Sequence, residues 1–265
     1  MQTNYYKYIN YIIAATTLVI VVNFGQFVIE KSSVQYSDWL INYQGGFVRR
    51  GLPGEIFYQL HYFTKIQLDF IVFIFVAFFY ILFGYFLTKF LKNIKLNLLN
   101  FLIIFSPLSF FYPVMEQKVS GRKDIIFTLS IITLVMFLEK IKFENQKYFI
   151  ILLTLLTTFS HSGFFVYVPL FFLIFIILNH QISFKKIFKE IFFISIACLV
   201  LFFIIIFNTS INSNSIIDIC NSVNKYLPNC GVSDYISTLN WSLKYEIELV
   251  TKIWNKENYI SFYIL

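Results

Sequence analysis

The chain of 265 residues is 58% hydrophobic and 21% aromatic but only 13% charged, with a mean hydropathy of +0.72. This apolar fraction exceeds that of soluble domains, so the composition excludes an ordinary soluble enzyme and indicates an integral membrane protein. The net charge of +7 gives little support to nucleic-acid binding, because cytoplasmic loops of membrane proteins collect lysine for topological reasons.

Long apolar runs predict several membrane segments. A spanning helix needs about 20 apolar residues, because each residue adds roughly 1.5 Å across a hydrocarbon core of about 30 Å. The first run, residues 8–29, lacks a small-residue cleavage site and is predicted to be a retained anchor. Further segments are predicted at 68–88, 96–114, 125–138 and 191–207. The fold class is therefore expected to be all-α, a polytopic transmembrane bundle forming one domain over residues 1–265.

Residues 148–179 are too long for one crossing. As a single helix they would measure roughly 48 Å, more than the bilayer core. We expect a break at the sequence SHSG, residues 160–163, giving a short hairpin of segments 148–160 and 163–179. The hairpin returns the lysines that follow it to the cytoplasm, as the positive-inside rule requires. About seven membrane segments result, with external loops at 30–67, 115–124 and 208–258.

All three arginines fall in the predicted external loops, although lysine outnumbers arginine by 18 to 3. Guanidinium is a planar fork that grips phosphate or carboxylate through paired hydrogen bonds, which lysine cannot reproduce. Arg49 and Arg50, in GGFVRRG, are therefore predicted to bind phosphate or pyrophosphate, together with Arg122 and Lys123 in GRKD. The alternative is a surface turn and an interfacial anchor whose arginines contact lipid headgroups.

The residues after the arginine pair predict an amphipathic helix lying in the outer interface. Pro53 and Glu55 suit its first turn, and its N-terminus would add backbone N–H groups to an anion site. The apolar face comprises Ile56, Phe57, Leu60 and Phe63. The surrounding glycines permit close backbone approach.

Four external carboxylates, Asp38, Glu55, Glu116 and Asp124, could belong to the same site. His161 lies within apolar sequence, where a histidine is often structural, yet ionisable groups in membrane segments are expensive and mark functional sites. We expect His161 at the floor of an outward-facing cavity, where a neutral imidazole could accept a proton.

Cys220 and Cys230 lie in the last external loop and could close a disulfide ring, with two free thiols as the alternative. The sequence contains no CxxC, HExxH, P-loop or GxGxxG motif. No metal site is therefore predicted, and nucleotide hydrolysis lacks support.

The layout resembles bacterial envelope-polysaccharide membrane proteins, namely GT-C-type lipid-linked glycosyltransferases and oligosaccharide repeat-unit polymerases. Asp38 in YSDWLINY and the stretch 55–65 match the catalytic acid and interfacial helix of the first external loop in GT-C enzymes. GRKD and FSHSGFF are similar to the pattern of repeat-unit polymerases, in which external arginines hold a lipid pyrophosphate. The resemblance covers residues 36–169, and it departs from the GT-C pattern because no second acid stands beside Asp38.

This resemblance implies a transferase in the bacterial cytoplasmic membrane that acts externally on a polyprenyl-pyrophosphate-linked sugar. Asp38 or Glu55 would be the base, with His161 as the alternative base, and the arginines would stabilise the leaving group. No cofactor is expected, although a divalent cation is left open. The expected partners are membrane lipid, the lipid-linked glycan and other polysaccharide-assembly proteins, without nucleic acid.

A second class of function stays open, namely a non-catalytic flippase, transporter or assembly partner that binds a lipid phosphate. The final residues, 259–265, look like the start of a further span. The chain is therefore expected to be a truncated member of these families.

Overall fold

The computed structural model describes residues 2–31, 34–92, 114, 120–207, 213–231 and 236–240. The predicted span at 96–114 lies outside these residues except for its last position. Residues 241–258 of the predicted external loop and the predicted further span at 259–265 lie entirely outside the described residues.

The described residues form helices and contain no strand, which confirms the all-α class. The α-helices are α1 Gln2–Glu30, α2 Val34–Trp39, α3 Leu52–Thr64, α4 Leu68–Lys92, α5 Asp124–Phe137, α6 Phe143–Ser160, α7 Val168–Leu178, α8 Phe184–Phe207 and α9 Ser213–Val223. Short 3₁₀ helices occupy Leu138–Lys140, Ser162–Tyr167 and Ser237–Asn240.

Three helical segments within the described residues are long and apolar enough to cross a membrane: Tyr6–Glu30, Leu68–Lys92 and Phe184–Ile204. A helix of 25 residues, such as α4, is roughly 37 Å long and exceeds the thickness of the hydrocarbon core. The chain is therefore a membrane protein, as its composition predicts.

The long apolar stretch around His161 folds as a hairpin. Helix α6 ends at Ser160, and His161 is extended, with φ −157° and ψ 111°. Pro169 lies in the first turn of α7, where its missing N–H costs no helical hydrogen bond. Asn179 at the end of α7 donates a hydrogen bond to Gln146 Oε1 near the start of α6 (2.8 Å). The chain after His161 therefore runs back along α6.

The helices align so that one end of the bundle, here called the lysine end, collects most of the described lysines. The contacts that align the helices there join Ile9 to Leu91, Phe86 to Phe137 and Lys147 to Glu190. The lysines at this end are Lys7, Lys89, Lys92, Lys140, Lys142, Lys147, Lys185, Lys186 and Lys189. The opposite end, the arginine end, consists of α2, the first loop (residues 40–51), α3, the turn at 120–124, His161 and α9.

The end of α2 and the start of the first loop are buried in the arginine end. Trp39, Leu40 and Ile41 are at most 1% exposed, and they pack in one core cluster with Phe24 of α1 and Phe57 of α3. The same cluster includes residues of α4 and α9. Arginines 49 and 50 therefore belong to a packed segment, because the loop contributes large apolar side chains to the core.

Candidate functional site

An ion pair joins α2 to the turn before α5. Lys123 is 1% exposed and Asp38 6% exposed, and Lys123 Nζ lies 3.4 Å from Asp38 Oδ1. The ammonium group also donates to the carbonyl oxygen of Arg50 (3.0 Å) and lies 5.8 Å from the centre of the Trp39 ring. A buried charge needs such partners, because removal from water is costly.

Burial lowers the pKa of Lys123 to about 8, and the positive charge of Arg50 acts in the same direction. The Asp38 carboxylate opposes this shift. Burial is the larger cause, because the lysine is enclosed by the Trp39 ring and by backbone that cannot replace bulk water. Lys123 is therefore charged at neutral pH, yet closer to neutrality than an exposed lysine.

The turn that carries Lys123 is locked in place by its glycine and by Trp39. Gly121 has φ +78°, a backbone conformation that side-chain-bearing residues rarely adopt. A Cβ at this position would also collide with the Phe24 ring of α1. The Gly121 carbonyl oxygen accepts a hydrogen bond from Trp39 Nε1 (2.6 Å), so the turn is fixed to α2 at a second point.

His161 joins the group from a third segment of the chain. Burial lowers the pKa of His161 to about 3, the positive charges of Arg50, Lys123 and Arg122 act in the same direction, and the Asp38 carboxylate opposes them. His161 Nδ1 accepts a hydrogen bond from the Gly163 N–H (3.2 Å), which leaves the ring proton on Nε2 and the imidazole neutral. The α6–α7 break therefore places a neutral histidine within the electrostatic influence of Arg50.

Arg122 and Asp124 complete the group at its outer edge. Arg122 Nε lies 2.8 Å from Asp124 Oδ2, and both side chains are about 40% exposed. We call Asp38, Arg50, Arg122, Lys123, Asp124 and His161 the charged cluster. It combines three cations, two carboxylates and one neutral imidazole from three separate segments, and part of it remains accessible.

Two of the predicted site residues do not join the charged cluster. Arg49 is 2% exposed, and its Nη2 donates to the carbonyl oxygen of Thr238 (3.4 Å). Glu55 accepts hydrogen bonds from the Tyr43 N–H (2.9 Å) and from the side chains of Gln44 (3.2 Å) and Gln59 (2.6 Å). The arginine pair is thus divided between two surroundings, and Glu55 holds the shape of the first loop.

The last part of the arginine end is a cap formed by α9 and the turn after it. Cys220 and Cys230 form a disulfide across this turn. Asn42 Nδ2 donates to Ser222 Oγ (2.9 Å), and a Cβ at Gly45 would collide with the Ser215 carbonyl oxygen. The cap therefore packs directly on the first loop, at a point where only glycine fits.

Opening the disulfide should loosen this cap. Replacing Cys220 and Cys230 by serine should lower the free energy of unfolding by about 3 kcal/mol, because the unfolded chain regains the entropy of a closed ring of about ten residues. Thermal unfolding of the purified protein in detergent measures the loss. Cys198→Ser is the control, since Cys198 is a buried free thiol and its replacement opens no ring. An unchanged melting temperature in the double serine variant would contradict the prediction.

The search for a group of metal-binding side chains covers the part of the chain that the structure describes. No group of three His, Cys, Asp or Glu side chains in that part is arranged to hold a metal ion. The cations of the charged cluster already pair with Asp38 and Asp124, so the two carboxylates have protein partners.

The sequence did not reveal that Asp38 and Lys123 pair, because they are 85 positions apart and lie in two different predicted loops. Trp39 was also missed. Its one signal was a large aromatic residue directly beside the acid in a segment between membrane helices.

Comparison of the chain with protein-family models, curated proteins and solved structures finds no match.

Proposed function

We propose that this membrane protein binds a polyprenyl-pyrophosphate-linked sugar at the arginine end and transfers a glycosyl group from it during bacterial envelope-polysaccharide synthesis. The observation that carries the proposal is the charged cluster, in which Lys123 contacts Asp38 and the Arg50 carbonyl oxygen, and the charges of Arg50, Arg122 and Lys123 all act on a neutral His161. Cations held in place before a reaction stabilise a leaving group whose negative charge develops as the bond breaks.

The orientation of the chain supports an external site on two independent grounds. The lysine end would face the cytoplasm, because lysine-rich loops of membrane proteins stay there. The disulfide at the arginine end favours an oxidising compartment, which lies outside the cytoplasm. Lipid-linked sugars, rather than sugar nucleotides, are the donors available on that side.

Cysteine labelling tests this orientation. Asn214→Cys at the arginine end should react with a membrane-impermeant maleimide in intact cells, and Ser183→Cys at the lysine end should react only after permeabilisation. Both positions are exposed, and the unmodified protein supplies the background. The reverse labelling pattern would show that the charged cluster lies on the cytoplasmic side, which would contradict the proposal.

Within this reaction the residues take different roles. Arg50 and Arg122 would bind the pyrophosphate, since Arg50 is half-buried and Arg122 lies at the accessible edge. His161 would be the base: its Nδ1, the unprotonated nitrogen of the neutral ring, would exchange the Gly163 N–H for the acceptor hydroxyl and take the proton of that hydroxyl. Asp38 would hold Lys123 beside Arg50, a positioning role that its buried ion pair supports.

The alternative is a non-catalytic flippase, transporter or assembly partner that binds the same lipid pyrophosphate. The observation that favours it is the ion pair of Asp38, because a carboxylate that contacts a buried ammonium group is already engaged within the protein. His161 then becomes the residue on which the two functions differ.

Substitution of His161 separates these functions. His161→Gln should lower glycosyl transfer by about 10²–10⁴-fold, the usual contribution of a general base, while lipid binding changes little. The assay uses the reconstituted protein with the lipid-linked oligosaccharide extracted from its host. His180→Gln is the matched control, since His180 lies at the lysine end. Full polysaccharide production by His161→Gln would favour the non-catalytic alternative.

A further inference from the structure

An apolar pocket of about 260 Å³ lies between α3, α4, α5 and α6. Its walls include Pro53 and Phe57 of α3, Phe79 of α4, Thr133 of α5 and Leu153 of α6. The pocket is lined almost entirely by carbon, so it offers a hydrocarbon chain a favourable environment and an ion none.

The pocket adjoins the charged cluster through all three segments that form the cluster. Pro53 follows Arg50 by three positions, and the pocket residue Ile126 follows Lys123 by three. Ser160, which also lines the pocket, directly precedes His161. The pocket and the charged cluster are therefore built on the same three segments of the chain, which brings an anionic group on the cluster close to the pocket.

The rim of the pocket is exposed on α3 and α6. Ile56 is 44% exposed and Leu156 40% exposed, and both line the pocket. In a membrane these apolar side chains would contact lipid rather than water. The pocket is thus open at the side of the bundle, where lipid chains would reach it.

We infer that this pocket takes the first hydrocarbon units of the polyprenyl chain whose pyrophosphate lies on the charged cluster. The inference rests on the proposed function and adds how the chain is recognised. The pocket lies just below the range of roughly 300–1,000 Å³ that is usual for sites enclosing a whole ligand, so it holds only the part of the chain nearest to the head. A phosphorylated lipid matches both features, because its anionic head and apolar chain are adjacent.

Paired ligands test the inference in nanodiscs of phosphatidylcholine. Geranyl pyrophosphate carries a short chain, and inorganic pyrophosphate carries none. Calorimetry should give the geranyl compound at least about ten-fold tighter binding, because each buried methylene favours transfer from water by roughly four-fold. Partition into the bilayer also concentrates the geranyl compound, so a pocket variant must separate the two effects.

Thr133→Phe fills the pocket, and Thr128→Phe is the matched control on an exposed face of the same helix. With Thr133→Phe the advantage of the geranyl compound should fall at least about five-fold while the affinity for inorganic pyrophosphate stays unchanged. Thr128→Phe should keep both affinities. If the tighter binding of the geranyl compound survives Thr133→Phe, or is lost equally in Thr128→Phe, the pocket does not bind the hydrocarbon chain.

Arg50→Gln separates this inference from the proposed function. If Arg50→Gln lowers the affinity for both ligands while Thr133→Phe changes neither affinity, the inference about the pocket is wrong and the pyrophosphate site is retained. If neither ligand binds the unmodified protein, or if Arg50→Gln alters neither affinity, the proposed function fails and the inference fails with it.

Discussion

Arg50→Lys should lower the affinity for a lipid pyrophosphate by about 10–100-fold, because lysine keeps the charge but loses the paired hydrogen bonds of guanidinium. Each charge-assisted hydrogen bond contributes roughly 1.5–3 kcal/mol, and about 1.4 kcal/mol corresponds to ten-fold in affinity. Titration of the reconstituted protein with geranyl pyrophosphate measures the loss. If Arg50 only anchored the loop at lipid headgroups, a lysine would serve equally well.

Arg49→Lys is the matched control, because it makes the same chemical change at the neighbouring position. Arg49 is buried and donates to Thr238, so we expect this variant to affect thermal stability more than affinity. Equal losses of affinity in the two variants would contradict the division of the pair. An Arg50→Lys variant that retains more than about a third of the affinity would remove Arg50 from the site.

Asp38→Asn and Lys123→Met should each lower the free energy of unfolding by about 3–5 kcal/mol, since each leaves the other charge buried without its partner. Combining the two should recover much of this loss, because the double variant buries no isolated charge. Chemical unfolding of the four proteins in detergent measures the coupling. Additive losses would show that the ion pair does not hold the turn before α5 against α2.

The double variant also decides the role of Asp38. If Asp38 only positions Lys123, the double variant should produce more polysaccharide than Asp38→Asn alone. Its remaining deficit relative to the unmodified protein would be due to the lost cation. If Asp38 is the base, Asp38→Asn/Lys123→Met should fold and yet stay inactive. Lys123→Met alone is the comparison, because it removes the same cation and keeps the carboxylate.

Much of the helical framework could be predicted from the sequence, because the length and the apolar character of a membrane helix are local properties. The runs at 8–29, 68–88 and 191–207 coincide with the three segments of spanning length. Predictions for the shorter helices depended on local signals of another kind, such as loop charges and the sequence SHSG, where α6 ends. The amphipathic pattern after Pro53 likewise coincides with α3, although only Phe57 of its predicted apolar face is fully buried.

The composition of the candidate site was partly predictable for the same reason. Arg50, Arg122, Lys123, His161 and Asp38 were each marked by their chemistry in an apolar chain, and the structure brings all of them together. Arg49 and Glu55 were marked by the same reasoning but lie elsewhere. Residue type alone could not separate Arg50 from its neighbour, because the surroundings of each side chain depend on the tertiary packing.

The sequence by itself determined that this chain is a helical membrane protein with its arginines grouped outside the apolar runs, because a spanning helix must satisfy its own backbone and be apolar over a fixed length. Only the tertiary structure decided that Asp38 faces Lys123, that His161 comes under the electrostatic influence of Arg50, and that a pocket opens between four helices on the same segments. These contacts join segments separated by dozens of residues, and they depend on how whole helices pack.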